Sequence, residues 1–268
     1  MIMQRRREQG FALLIVLWSV VFLAFVMTQI LANSRSAVTL AGALRASAQA
    51  RLADDGAINT AILHAISPGN ARWAADGTQH QVVIGAMTID VTLGTLADKI
   101  NPNLASAPLL AGLLRAVGEP GDQAAQIAQN IVAWRSPAPS QAAATALQQS
   151  YGAAGMSFGP PGVQFSDLSE LTNVLGVTPA LFAALAPHLS LFQTGDPNPA
   201  TTDPIARQAI IFANATGMTA TNYEGAPVIT ILACARGPAP LCRHAVVSIA
   251  GLGALTQYQI EQLGDGSE

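Results

Sequence analysis

Arg5-Arg6-Arg7-Glu8-Gln9-Gly10-Phe11-Ala12-Leu13-Leu14-Ile15 opens an apolar run that continues to about Ala32 without a charged residue. About 20 apolar residues suffice for a helix to cross a bilayer. A helix also pairs its own backbone groups, so lipid imposes no hydrogen-bonding penalty on it. Three arginines precede the run and only Arg35 follows it closely. That asymmetry orients the N-terminus to the cytoplasm and the bulk of the chain outside the inner membrane. Beyond the run, Val38, Leu40, Ala41, Leu44, Ala48, Leu52, Ile58 and Ile62 recur at mostly helical spacing, with Arg45, Gln49, Arg51, Asp54, Asp55 and Asn59 read onto other faces. No proline interrupts Met1 to Ile66, so the expectation is one helix from about Phe11 to Ile66, the first half in lipid and the second packed on a domain.

Three readings of the N-terminus compete. A secretory signal has an apolar core of roughly 7 to 15 residues before a small-residue cleavage site; this run is longer, and Ile30-Leu31-Ala32 is a poor match. An uncleaved anchor explains the length but gives no role to Gly10-Phe11. The third reading accounts for both, because Gly10-Phe11 resembles the junction cut by prepilin peptidase in type IV pilins and pseudopilins. That resemblance implies a leader of residues 1–10 and a mature, N-methylated Phe11. In that class the fifth mature residue is usually a glutamate, and here the position is Ile15. A carboxylate in hydrocarbon is costly unless paired, so a subunit at a filament tip, with nothing above it, has no need of one.

Half of the 268 residues are apolar and 11% are charged, enough to bury one elaborated domain or two intimate ones. Past the apolar run the charge balance is mildly acidic, the opposite of a nucleic-acid footprint. The two cysteines, Cys234 and Cys242, lie close together in a chain read as exported, which favours a disulfide over a metal or catalytic pair.

Ser67-Pro68-Gly69-Asn70 ends the long helix. Val82 and Ile84, a turn near Gly85, then Ile89, Val91 and Leu93 alternating with Thr88, Asp90 and Thr92 read as a β-hairpin with one buried face. From Leu96 strand signals vanish for over a hundred residues. Leu109, Leu110, Leu113, Leu114 and Val117 mark one helix, with Pro108 near its first turn. Ile127, Ile131 and Trp134 mark another from near Asp122, stopped by Pro137 and Pro139. Ser140 to Pro161, rich in Ala, Gln, Gly and Pro, reads as a surface insertion with room for a turn of helix. Two short helices, about Asp167–Leu175 and Pro179–His188, joined by Gly176-Val177-Thr178, resemble a helix-hairpin-helix motif, and a further helix runs from Pro204 to Ala215. Strands return at Val228 to Ala233, Ala245 to Leu252 and Thr256 to Leu263.

In that order the chain resembles the K-type minor pseudopilins of the type II secretion system, the general secretion pathway protein K family. Ala97-Asp98-Lys99-Ile100-Asn101-Pro102-Asn103 resembles the family's D-x-x-G-K-I-N-x-N stretch, and Ile131-Val132-Ala133-Trp134-Arg135 its I-x-D-W-R helix, with alanine at the aspartate. Phe165 through Leu171, Val177-Thr178-Pro179 and Ala186 to Leu189 resemble its hairpin segment, and Asp196-Pro197-Asn198-Pro199-Ala200 stands at its N-x-N-T-A. The resemblance implies an α+β pseudopilin fold: a long N-terminal helix, half transmembrane, packed on an antiparallel sheet, with a large inserted α-helical domain. The expected divisions are a leader at 1–10, a transmembrane half-helix at 11–32, helix plus hairpin at 33–95, the insertion at 96–216 and C-terminal strands at 217–268. Implied partners are the I- and J-type minor pseudopilins, prepilin peptidase and the inner membrane, with the bulk periplasmic. The competing assignment is a tip minor pilin of a type IV pilus or DNA-uptake system.

Other constellations carry less. Gly155-Met156-Ser157-Phe158-Gly159 matches the GxSxG elbow formally but lacks the strand and helix that motif needs. His64, His80, His188 and His244 show no metal-ligand spacing. Between Arg135 and Arg207 there is no lysine or arginine, so the hairpin has no counter-charge for phosphate and no nucleic-acid partner is expected. No cofactor is required and no enzyme is expected. Some family members bind calcium in the helical domain, and Asp196, Asn198 and Asp203 offer the hard oxygen it prefers, against turn-forming and capping roles for the same residues.

Overall fold

The computed structural model describes residues 5–215, 227–236, 241–250 and 257–266, without the side chains of 5–12 and 30–37. It divides into two units, Met1–Ala53 and Asp54–Glu268. Helix α1, Arg5–Ile66, supplies all of the secondary structure of the first unit. Leu13 through Met27 are exposed there, and the hydroxyls within this stretch turn back on their own helix: Ser19 Oγ donates to the Ile15 carbonyl at 2.8 Å and Thr28 Oγ1 to Phe25 at 2.7 Å. Such back-bonding leaves no unpaired donor on either side chain. Among the described residues no helix is long and apolar enough to cross a membrane.

In the second unit α1 ends at Ile66, before Ser67-Pro68, where proline cannot continue it. Ala57, Ala61 and Ala65, one helical turn apart, are buried with Ile58 and Ile62. Their small side chains permit a close approach, and Gly56 lies against Ile84 of the sheet. The sheet has five antiparallel strands in the order β1 (Gln79–Ile84), β2 (Met87–Thr95), β3 (Val228–Ala235), β4 (Cys242–Ile249) and β5 (Tyr258–Asp265). Register places Ile89, Val91 and Leu93 opposite Ala235, Ala233 and Ile231, and Ile231 opposite Ala245, so one face is continuous and buried. Thr88, Asp90 and Thr92 take the other face, as the alternation requires. At one corner of that second face Val228 and Val246 are buried with Leu96 against Phe192. The last strand starts at Tyr258 and remains almost wholly exposed.

Everything from 96 to 227 is inserted between two adjacent strands. The Leu96 amide donates to the Val228 carbonyl at 3.0 Å, so the insertion leaves and re-enters the sheet side by side. It contains α2 (Ala107–Ala116), α3 (Gly121–Arg135), α4 (Gln141–Ala153), α5 (Pro179–Leu185) and α6 (Pro204–Asn214) around one apolar core that includes Leu109, Leu113, Ile127, Ile131, Trp134, Leu181 and Ile210. Helices α2 and α6 cross closely because Gly112 has no side chain: a Cβ there would fall 2.3 Å from the Ala209 carbonyl oxygen. Gly176, with φ +97°, turns the hairpin onto Ile127, whose side chain would meet a Cβ at 2.8 Å.

Two expectations are corrected. Residues 140–162 are more than a loop, since α4 spans thirteen of them. Ser140 caps it by accepting from the Ala143 amide, and its Ala- and Gln-rich interior favours helix without needing an apolar stripe. Tyr151 anchors it, buried, with its hydroxyl accepting from the Leu175 amide at 3.1 Å. The first arm of the hairpin is a 3₁₀ segment, Leu168–Asn173, rather than an α-helix, and Val174 is already extended. Asp167 and Glu170 form a reciprocal capping box, which stabilises a start but not a long helix in a stretch containing Ser169, Thr172 and Asn173.

Candidate functional site

The segment Asp98–Asn103 is a knot on which the insertion closes. The two carboxylate oxygens of Asp98 accept from Thr201 Oγ1 and Thr202 Oγ1, each at 2.6 Å. Lys99 Nζ donates to the Pro187 carbonyl. The Ile100 amide donates to His188 O at 2.9 Å, and its carbonyl accepts from the Ser190 amide at 3.1 Å, a short parallel bridge. Asn101 Nδ2 donates to the carbonyls of Leu191 and Gln193, while its Oδ1 accepts from the Asn103 amide. Asn103 forms a two-way amide pair with the backbone of Phe165. From the far side Arg135 donates to the carbonyls of Pro102 and Ala105. A guanidinium with several donors in one plane suits such convergent carbonyls. Thus four stretches separated in sequence, at 98–103, at 135, at 165 and at 187–203, meet in space.

Asp203 belongs to the edge of this knot. Its Oδ1 accepts from the Ile205 and Ala206 amides as the N-cap of α6, and its Oδ2 lies 2.6 Å from His188 Nδ1. Burial alone would raise its pKa, but the His188 hydrogen bond and the two amides outweigh burial and hold it below the ordinary carboxylate range. Asn198 Oδ1 accepts from the Ala200 amide, closing a turn. Asn198 and Asp203 are thus placed as turn and cap, and Asp196 has a partner of its own. Among the described residues no group of three or more His, Cys, Asp or Glu side chains could hold a metal ion.

The remaining sequence-marked residues are dispersed. Cys234 and Cys242 are joined by a disulfide across directly opposed positions of β3 and β4. Gly10 and Phe11 lie in the backbone of α1, the Phe11 side chain being outside the described residues, and Ile15 is exposed on α1. Residues 155–159 follow the end of α4 as a loop, with Phe158 edge-on to Trp134.

Two features escape the sequence reading. Asp54 is not on an outer face: it is fully buried, and burial, with Asp55 beside it, pushes its pKa up to about 6 against the pull of Arg243 and of the Ala235 backbone. Arg243, reaching inward from β4, pairs with Asp55 at 2.9 Å and with Asp265 at 3.2 Å. The signal was present in the helical spacing, since Asp54, Ile58 and Ile62 are one turn apart. The second is a stack of His64, Trp73 and His80, with ring centroids 4.2 and 4.0 Å apart and planes within 4° of parallel. It pins the connection between α1 and β1, helped by His64 Nδ1 at 2.7 Å from the Ala71 carbonyl.

Residues 91–194, which include the hairpin and most of the knot but not its Thr201–Asp203 side, match the sequence model of the family described as type II secretion system (T2SS), protein K. No curated protein matches the chain. Among solved structures, the chain is similar to one in the crystal structure of the GspK-GspI-GspJ complex from the enterotoxigenic Escherichia coli Type 2 Secretion System. The TM-score is 0.56 at 16% identity, over 88% of this chain and 100% of that one. At that identity the likeness is one of fold, a mixed helix and antiparallel-sheet architecture. Over residues 91–194, then, the chain is similar in sequence to the family of the type II secretion system protein K.

Proposed function

We propose that the chain is a minor pseudopilin that starts and caps the type II secretion pseudopilus from its tip. The observation that carries the reading is the position of the family-matching segment: it runs from within β2 through most of a helical body that is inserted between β2 and β3 of a helix-on-sheet scaffold. A filament subunit built this way carries its bulk on one side, where it obstructs the addition of a further subunit above it. The apolar surface of Leu13 to Met27, with Ser19 and Thr28 back-bonded, supports a membrane anchor over 11–32. Three arginines just before that anchor, on its cytoplasmic side, support a periplasmic bulk. Prepilin peptidase would then cut after Gly10 and leave Phe11 as the methylated N-terminus, with Ile15 at the position where a tip subunit needs no carboxylate.

The GspK-GspI-GspJ complex supports I- and J-type minor pseudopilins as the partners of this chain. The role is one of packing rather than of chemistry. Co-expression in an envelope with and without the I- and J-type subunits tests it. The chain should co-purify with both from solubilised membranes and begin at Phe11. A chain that is recovered alone, or that begins elsewhere, contradicts the reading.

A further inference from the structure

The insertion contains a cavity that is apolar on nearly every side yet reaches a cation. Ala111 and Gly112 of α2, Ala125 and Gln129 of α3 and Phe212 of α6 line a half-open pocket of about 190 Å³, and Arg115 lines the same space. The close crossing of α2 and α6 at Gly112 sets its shape. The Arg115 guanidinium carbon lies 4.2 Å from the centroid of the Phe212 ring, and among the described residues Arg115 has no carboxylate partner. The ring covers one face of the guanidinium and fixes its plane without neutralising it. The N–H groups at its edge stay available, in a fork that matches a carboxylate.

A space the size of one large aliphatic side chain beside one unneutralised guanidinium calls for a ligand with an apolar group and a carboxylate on neighbouring atoms. The C-terminal residue of a polypeptide has both on one carbon. We propose that this cavity binds the apolar C-terminal residue of a partner polypeptide, its side chain between α2, α3 and α6 and its carboxylate on Arg115. An acidic side chain elsewhere in a partner would have to draw its apolar group from a second residue, which the small cavity disfavours. The proposal does not depend on the position of the chain in a filament, because every residue it uses lies within the insertion.

The test uses the full chain in detergent micelles and the peptide acetyl-Ala-Ala-Leu with a free carboxylate, compared with the same peptide as its C-terminal amide. Saturation-transfer NMR should show contact from the protein to the leucine methyls of the acid, beyond that given by micelles alone, with millimolar affinity on the order expected of so small a ligand. Amidation and Arg115→Gln should each weaken binding about tenfold, the scale of one charge-assisted contact. Ala111→Leu, which fills the space, should abolish it. Thermal unfolding of both variants should stay close to that of the parent. Equal binding of acid and amide, an unaffected Arg115→Gln, or no transfer to the acid at all would each overturn the proposal.

Discussion

Asn103 and Phe165 are 62 residues apart and exchange two hydrogen bonds, Asn103 Nδ2 to the Phe165 carbonyl at 2.9 Å and the Phe165 amide to Asn103 Oδ1 at 2.8 Å. The side chain thereby acts as a strand edge one residue long. Phe165 is buried and its ring stacks 6.3 Å from that of Trp134. Asn103→Ala removes both bonds and strands the backbone groups, so it should cost about 1–3 kcal/mol. Urea unfolding reads this as a lower midpoint with an unchanged slope. Asn103→Asp keeps the acceptor and loses the donor, and should fall between the two.

Asp54 makes the fold weaker at neutral pH than in mild acid. Its folded pKa of about 6 lies above the ordinary carboxylate value, so between roughly pH 4 and 6 the native state holds more proton than the unfolded chain. Its contribution is therefore fully favourable below the unfolded pKa, falls as pH rises through this window and is flat above it. Asp54→Asn should remove that slope and raise stability at pH 7.5 by about 1–3 kcal/mol, after discounting for solvent screening. Unfolding curves of both proteins at pH 4.5 and 7.5 measure it. A variant no more stable than the parent at pH 7.5 contradicts a carboxylate whose burial outweighs its partners.

Asp203 behaves in the opposite sense. Its depressed pKa contributes stability that is present above the unfolded value near pH 4 and lost as pH falls through the folded one. Asp203→Ala removes both the α6 cap and the His188 contact and should cost about 1–2 kcal/mol at pH 7. Asp203→Asn keeps the cap and should lose less. The same variants bear on calcium: a calcium-dependent rise in Tm that Asp203→Ala abolishes would assign the ion to this loop, and a Tm insensitive to calcium and to chelator would leave Asp203 as cap alone.

Reduction of the Cys234–Cys242 disulfide, or its replacement by two serines, should lower stability by roughly 2 kcal/mol, the scale for a short closed loop. The sheet should persist, because β3 and β4 retain their register from Val228 to Ala233. Far-ultraviolet circular dichroism before and after reduction checks the second point.

Much of this architecture is legible without coordinates because its boundaries are marked by strong local signals. Pro68 ends the long helix, Pro108 starts α2, and Ile89, Val91 and Leu93 alternate as a half-buried strand must. The knot is legible only as a set of motifs, since nothing local says that Asp98 meets Thr201 or that Arg135 meets Pro102. Asp54 is misplaced when its charge outweighs its spacing: the turn-by-turn repeat through Ile58 and Ile62 puts it inside. Helix α4 hides behind its composition, with Tyr151 as its one buried side chain and no apolar stripe to reveal a period. The His64–Trp73–His80 stack joins α1, the connecting segment and β1, a kind of contact that periodicity does not encode.

The most direct test of the central claim is secretion itself. Deleting the gene for this chain, in a cell where it is expressed beside a type II secretion system, should leave the secreted proteins of that system trapped in the periplasm, and the wild-type gene supplied in trans should restore them to the medium. Undiminished secretion in the deletion strain would contradict the account.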